Sequence, residues 1–395
     1  MDLLINKCTG CGLCANICPM KAITMCENGE GFLYPVINEQ HCDNCNLCNT
    51  VCDEYRDQGR DKNKPLKVQA CQTKDAKWLI ESTAGGFFPT LAQWVIEQGG
   101  VVFGTAYNEA MNPVVCKAES VEDILRFNGS KYVQSDLTEA LPVVKAELDQ
   151  GKWVLFSGTP CQLAAVKTLC KDYIGKKLIT MDVVCYGVPS PGLFREFLKC
   201  VEKDKQARVV DYRFRDKHRH GWSHTTVITM LDVDGNQIHF EEEDYSKIPY
   251  YKMFGTRNCF RKECYSCQYN TIERISDFTT GNFWGIEKMT GKFDATKGVS
   301  MVLMNTAVAA RIFEKISDRF ETIDMTIDQA IQANDALVHT CKYPSERDDI
   351  YHCFQRYGFA ATYKKFYSDG TISRLKRKMR IVLKNFLNTG RSRRE

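Results

Sequence analysis

No stretch of this sequence is apolar for long enough to cross a membrane. The longest candidate, Met301 to Ala310, stops near ten residues, about half of the ~20 that a spanning helix needs. A secretory leader is missing too, because Met1 to Ile5 is short and Lys7-Cys8 follows at once, so the expected compartment is the cytoplasm. Charge of one sign is also scarce. The net charge is +4, and residues 371–395 alone carry nine Lys/Arg against one Glu, which leaves about −4 for the rest. Such a body is not a nucleic-acid binder by charge. With 44% hydrophobic and 26% charged residues the chain is not disordered, and 395 residues suffice for two or three domains with a sizeable core.

What the chain has in excess is cysteine, 20 residues in all. In a reducing compartment so many thiols suit metal ligation better than a disulfide framework. Eight of them form two runs with one spacing, Cys8-x-x-Cys11-x-x-Cys14-x-x-x-Cys18-Pro19 and Cys42-x-x-Cys45-x-x-Cys48-x-x-x-Cys52. Three thiolates two residues apart wrap a cubane, and in two-cluster ferredoxins the fourth cysteine ligates the other cube. Cys8, Cys11, Cys14 and Cys52 are therefore expected to hold one [4Fe–4S] cluster, and Cys42, Cys45, Cys48 and Cys18 the second. Cys-x-x-Cys pairs serve zinc as well, but usually as separated pairs rather than a repeated quartet. Asp53 stands where the first run has proline, which removes no ligand.

Beyond a polar stretch, Asp53 to Lys67, which reads as a linker, strands and helices alternate. Val68–Gln72, Val101–Phe103, Trp153–Phe156 and Leu178–Val184 read as strands. Phe87, Leu91, Trp94 and Val95 share one helical face, and a second helix carries Leu163, Val166 and Leu169. This alternation predicts an α/β core. Two β-branched runs flanking Asp234-Gly235 predict a hairpin within His224–Phe240, and from Ile312 onward helical patterns dominate. The expected fold is thus mixed α+β and α/β: a two-cluster ferredoxin domain (1–55), a linker (56–67), an α/β flavin-binding core in two parts (68–150 and 151–345) with an inserted β-hairpin, and a helical basic C-terminus (346–395).

The core carries Ser82-Thr83-Ala84-Gly85-Gly86, Gly129-Ser130-Lys131-Tyr132, Gly158-Thr159-Pro160-Cys161-Gln162, Cys185-Tyr186-Gly187-Val188-Pro189-Ser190, Cys264-Tyr265-Ser266-Cys267 and Gly281-Asn282-Phe283-Trp284-Gly285. Small residues between a strand and a helix suit anion binding, although ordinary tight turns use them as well. In this order, and with Phe214-Arg215-Asp216-Lys217 and then Gly221-Trp222 ahead of the Cys264–Cys267 pair, the motifs from roughly Val68 to Ala309 resemble the coenzyme F-420 hydrogenase/dehydrogenase beta-subunit family, which includes the plant hydroxymethyl-chlorophyll reductases. The resemblance implies a flavoprotein oxidoreductase with FAD in the core and a third [4Fe–4S] cluster beside it. Its ligands would be Cys161, Cys185, Cys264 and Cys267, with Cys259 as the competing candidate.

Ser82, Gly85, Gly86, Ser130, Lys131, Gly158, Thr159 and Asn282 are then the expected flavin contacts, and Lys131 and Tyr186 the candidate catalytic groups. The chain departs from the family at two of its motifs, with Tyr186 in place of a usual His and Asn282 in place of a usual Asp. His218, His220 and His224 surround Trp222; they read first as exposed loop residues, with supplying an acid or binding an acidic substrate as the alternative. The implied partners are an electron-donor or electron-acceptor protein and a small organic substrate such as a deazaflavin. In the tail, Leu375, Met379, Val382, Leu383, Phe386 and Leu387 share a helical face among basic residues. Such a helix either docks on an anionic membrane surface or a partner, or packs on its own domain.

Overall fold

The structure, a computed structural model, describes residues 7–57 and 62–368. The tail residues Leu375 to Leu387 lie outside the described residues.

The N-terminal unit is small. Strands β1 (Ile23–Glu27) and β2 (Leu33–Ile37) pair antiparallel, with Ile23 opposite Ile37, beside helices Leu13–Ile17 and Leu47–Asp57. The second helix continues past Asp53, into the stretch that composition marks as a linker, and Lys67 already begins the next strand. Burial explains the extension: Val51 is covered by the same apolar cluster as Leu163 and Val166 of the core, so the helix is held by packing rather than by its polar sequence.

The core is built on β3 (Lys67–Thr73), β4 (Val101–Tyr107), β5 (Pro113–Ala118), β6 (Val154–Gly158) and β7 (Leu178–Val183). After β8 (Arg208–Arg213), β9 (Thr226–Leu231) and β10 (Gln237–Glu242) come β11 (Phe278–Asn282), β12 (Ser300–Met304) and β13 (Phe320–Met325). Eight of these form one sheet in the order β13-β3-β12-β11-β7-β6-β4-β5. Its middle, β4-β6-β7-β11, is parallel, and both flanks are antiparallel. Val154, Leu155 and Phe156 of β6 and Leu178 to Asp182 of β7 are buried without alternation, as strands covered on both faces require. The sheet takes β3, β4 and β5 from before residue 150 and its other strands from after it, so the two sequence halves make one layer.

The α/β expectation is met, with one correction. Phe320–Met325 is a strand, not part of a helical C-terminus, because β3 offers it an open edge along its whole length. The hairpin at Asp234-Gly235 is present, closed by Gly235 at φ +82. It belongs to a three-stranded sheet, β10-β9-β8. The last helix, Arg347–Phe366, breaks at Gly358 (φ 74) and packs with helix Pro191–Lys205 in an aromatic cluster that includes Phe194, Phe197, Tyr351 and Phe359.

Buried groups fasten the N-terminal unit to this core. Arg347, fully buried, pairs with Glu30 at 2.6 Å. Arg261 donates to the carbonyls of Cys8 (2.8 Å) and Leu33 (3.0 Å). Gly12, at φ +72, lies so close to Thr138 that a Cβ would fall 2.5 Å from its hydroxyl.

Candidate functional site

The parallel strands β6, β7 and β11 deliver their C-terminal ends to one side of the sheet, where ligands of open α/β sheets bind. After β6 comes Thr159, whose hydroxyl and the Gln162 amide cap helix Pro160–Leu169 reciprocally, and Cys161 sits in its first turn. After β7 come Cys185 and Tyr186, and at the end of β11 come Asn282 and then Trp284. Together with the turn Lys262–Ser266 they enclose a cavity of about 590 Å³, within the range of cofactor sites.

Four thiols meet at this cavity: Cys161, Cys185, Cys264 and Cys267 all line it. Gly187, at φ +131, makes the approach possible, since a Cβ there would lie 2.5 Å from the Phe260 ring and 3.0 Å from Cys264. Burial pushes the Cys185 thiol up to about 12, reinforced by Cys161 and Cys267. Cys264 is raised well above the usual thiol range by burial and then by Cys185, Cys161 and Cys267. Burial and Cys161 raise Cys267 to about 11. Burial also raises Cys161 despite its place at a helix start. Thiols in such surroundings stay protonated until a cation takes the proton's place. Cys259 is elsewhere, buried in the aromatic cluster with Tyr250 and Tyr351, and its raised pKa owes nothing to the four.

The N-terminal thiols lie close to one another. Burial and then Cys8, Cys14 and Cys52 raise Cys11, and burial, then Cys8, Cys52 and Cys48, push Cys14 up to about 12. Cys48 is raised by burial, with Cys42 and Cys45 adding to it, and Cys14 and Cys18 both pack against the cluster of Ile23 and Cys48. Thr9, Gly10 and Cys11 reach the large cavity, so the first group faces it.

Of the expected flavin contacts, Ser82, Gly86, Ser130, Lys131, Gly158, Thr159 and Asn282 line the cavity. Gly85 does not: its α-carbon is pressed against the Cys71 carbonyl and Ser300, and its N–H donates to Ser300 Oγ at 2.9 Å. Glycine is needed there for packing against the sheet. Lys131 is pinned by its own loop, with Nζ donating to the carbonyls of Arg126, Asn128 and Gly129 at 3.0, 3.0 and 3.2 Å; burial lowers it to about 8. Tyr186 donates to Asn334 Oδ1 (2.9 Å) and Asp335 Oδ1 (3.1 Å), and burial with Asp335 raises its pKa. The phenol therefore stays protonated and cannot act as a base near neutrality. Ser82 Oγ and Asn128 Nδ2, both at the cavity, are buried without a hydrogen-bond partner among the described residues.

The three histidines separate. His218 and His220 are surface residues paired with Asp216 and Glu241. His224, expected to be exposed, lines the cavity instead. It stacks on Trp284 (5.7 Å between ring centroids), which stacks in turn on Trp222 (4.6 Å, 7° between planes). Burial and Arg215 lower its pKa to about 4. The Trp222 indole donates to the Thr83 carbonyl at 2.9 Å. With the Asn282 amide turned end for end, the orientation its neighbours favour, its nitrogen donates to the same carbonyl at 3.0 Å and its oxygen accepts from Arg215 Nη1 at 3.0 Å. Arg215, Trp222 and Trp284 all fall in motifs that carry the family resemblance, but local spacing does not show that the guanidinium and the two indoles meet, since they do so only across strands.

Residues 151–327 match the family described as the C terminus of the "Coenzyme F420 hydrogenase/dehydrogenase, beta subunit", and residues 7–54 match the 4Fe-4S dicluster domain. Both bear out the resemblance read from the motifs. The F subunit of an F(420)H(2) dehydrogenase from Methanosarcina mazei is 24% identical over 196 residues, 46% of this chain and 53% of that relative. The match thus spans about half of that relative's length. An uncharacterised protein of Methanocaldococcus jannaschii is 20% identical over 380 residues, covering 87% of this chain and 95% of that protein. A chain of the F420-reducing NiFe hydrogenase complex from Methanosarcina barkeri has a TM-score of 0.43 and 18% identity, covering 77% of this chain and 91% of that one.

Proposed function

We propose that the protein is an iron–sulfur flavoprotein oxidoreductase that moves electrons between clusters in its N-terminal unit and a flavin site in the cavity. One observation carries this reading: a single cavity is bordered by Cys11 of the first cysteine run, by four converging core thiols, and by the small-residue turns of the parallel strands. Cys8, Cys11, Cys14 and Cys52 would hold one cluster; Cys18, Cys42, Cys45 and Cys48 a second; Cys161, Cys185, Cys264 and Cys267 a third. The donor sets fit, being all-thiol groups whose members influence one another electrostatically.

The unpartnered Ser82 Oγ and Asn128 Nδ2 support a polar ligand in the same cavity. FAD bound there would supply a carrier able to hold one or two electrons, matching one-electron clusters to two-electron hydride transfer. The chain's own residues bind and orient. Lys131 folds its loop around three carbonyls, Asn282 and Trp222 fix the Thr83 turn, and Phe254, Phe260 and Trp284 keep water from the wall. A soluble organic acceptor of deazaflavin type is the proposed substrate, and an electron-transfer protein the proposed partner.

A second reading is that the chain transfers electrons within a larger assembly, without turnover of its own. It draws support from the Methanosarcina mazei relative, which is itself one of the subunits of a dehydrogenase.

Iron and flavin content after anoxic purification test the proposal. The expected result is about 12 Fe and bound FAD. A value near 8 Fe without flavin would remove the third cluster and the cofactor together. Reduction of a deazaflavin by the isolated protein separates the first reading from the second.

A further inference from the structure

Arg261 is 1% exposed and touches both thiol-bearing regions of the chain. Its backbone serves the core set. The Arg261 carbonyl accepts from the Cys264 N–H at 3.0 Å, and its own N–H donates to the carbonyl of Val188, in the loop that carries Cys185, at 2.9 Å. Its side chain serves the first cysteine run. Nε donates to the Cys8 carbonyl at 2.8 Å and Nη1 to the Leu33 carbonyl at 3.0 Å. Nη1 also reaches Gln134 Oε1 at 3.4 Å, and the Gln134 amide nitrogen donates to the Thr9 carbonyl at 3.0 Å. A Cβ on Gly10 would fall 3.1 Å from Nη1, so the run wraps closely around the charge. Two other buried arginines differ: Arg274 bonds Asp182 and the core carbonyls of Tyr269 and Thr271, and Arg347 bonds Glu30 and the Phe260 carbonyl.

The counter-charge of Arg261 is only partly engaged. Glu263 Oε2 stands 3.1 Å from Nε, yet Glu263 Oε2 and Arg261 Nη2 are both buried without a hydrogen-bond partner among the described residues. The guanidinium acts in both directions. Burial raises Cys161 of the core set, and Arg261 works against that rise. Burial likewise pushes Tyr34 up to about 12, with Arg261 opposing and Cys8 of the first run reinforcing. The Tyr34 ring lies 4.0 Å from the guanidinium. A fixed buried cation favours negative charge gained near it. One-electron reduction of a thiolate-bound cluster adds such a charge, and its potential follows net charge and hydrogen bonding around the site.

We propose that Arg261, opposed by Glu263, is a potential-setting residue shared by two sets, Cys8–Cys11–Cys14–Cys52 and Cys161–Cys185–Cys264–Cys267. Its charge raises both reduction potentials together, so that an electron is favoured on either side of the boundary. The inference rests on the reading of both sets as cluster ligands. In the transfer it serves, one set loses an electron and the other gains it; no proton moves and no bond forms. The set of Cys18, Cys42, Cys45 and Cys48 receives no bond from Arg261 and is the internal control.

The experiment is a redox titration of the anoxically purified full chain, followed by electron paramagnetic resonance, with iron counted first in every variant. Arg261→Gln should lower the potentials of the two sets by about 59 mV, which is tenfold in a one-electron equilibrium constant, and leave the control set in place. Glu263→Gln removes the opposing charge at nearly constant shape and should raise them. Arg261→Lys keeps the charge without the fork, and should stay nearer to wild type than Arg261→Gln. If Arg261→Gln loses iron or fails to fold, Glu263→Gln decides. Unmoved potentials in an iron-replete Glu263→Gln overturn the proposal. So does an Arg261→Lys that matches Arg261→Gln, because a purely structural residue behaves that way. Wild-type iron near 8 per chain would overturn the core-set reading, and this inference with it, before any potential is measured.

Discussion

The chain gathers cysteines in two different ways. The N-terminal eight come from two short runs on one small unit, and several reach the surface: Cys45 is exposed and Cys42 half-buried. The core four come from three distant segments, the helix start at 161, the loop at 185 and the turn that carries 264 and 267, and meet at a cavity under heavy desolvation. A local run can specify a site by spacing alone. A dispersed set comes together only once the parallel strands β6 and β7 and the 262–266 turn are in register, so it depends on the fold of the core.

That contrast is most strongly tested by removing one ligand from each set. Cys185→Ser should lower iron from about 12 to about 8 per chain and leave the N-terminal signals intact in electron paramagnetic resonance. Cys11→Ser should do the converse. Loss of all iron from Cys185→Ser would mean that the two sets are not independent. Next in size is the bond that joins the two regions. Glu30→Gln removes the bidentate carboxylate of Arg347 but leaves Asp348 at 3.3 Å, and should cost about 1–3 kcal/mol, read as a lower midpoint in urea with iron still bound.

A smaller effect belongs to the core alone. Burial and Arg215 hold His224 at about 4, against 6.5 when unfolded. Between those values the unfolded chain binds the proton and the folded one does not, so stability falls as pH drops from about 6.5 toward 4 and is level above that window. His224→Phe should flatten this slope in denaturation curves taken across the window. The smallest change is expected at Cys259, apart from both sets. Cys259→Ala should keep iron at about 12 and cost about 1 kcal/mol of packing. A loss of four irons would instead restore it to the ligand set.

The same contrast explains what the sequence disclosed. The spacing of Cys8 to Cys18 and Cys42 to Cys52 is a local fact, and the strands of the parallel core announced themselves as short apolar runs. Strand β13 did not, because Phe320–Met325 alternates weakly and owes its conformation to the edge of β3. Lys131 and Gly85 were singled out by motif, yet one is tied to its own loop and the other turned into the sheet. Arg215 stood in a family motif, but its place against Trp284 was not legible, since Trp284 lies far along the chain.

The close approach of Gly12 to Thr138, with Arg261 gripping the Cys8 carbonyl, has a kinetic meaning. A donor centre carried by the first cysteine run has no encounter step with the cavity, for it never leaves. Transfer across that boundary would be first-order, with a rate independent of protein concentration and insensitive to the ionic strength that screens diffusing partners. Encounters with molecules from solution, at the N-terminal unit or at the cavity mouth, would still respond to dilution and salt.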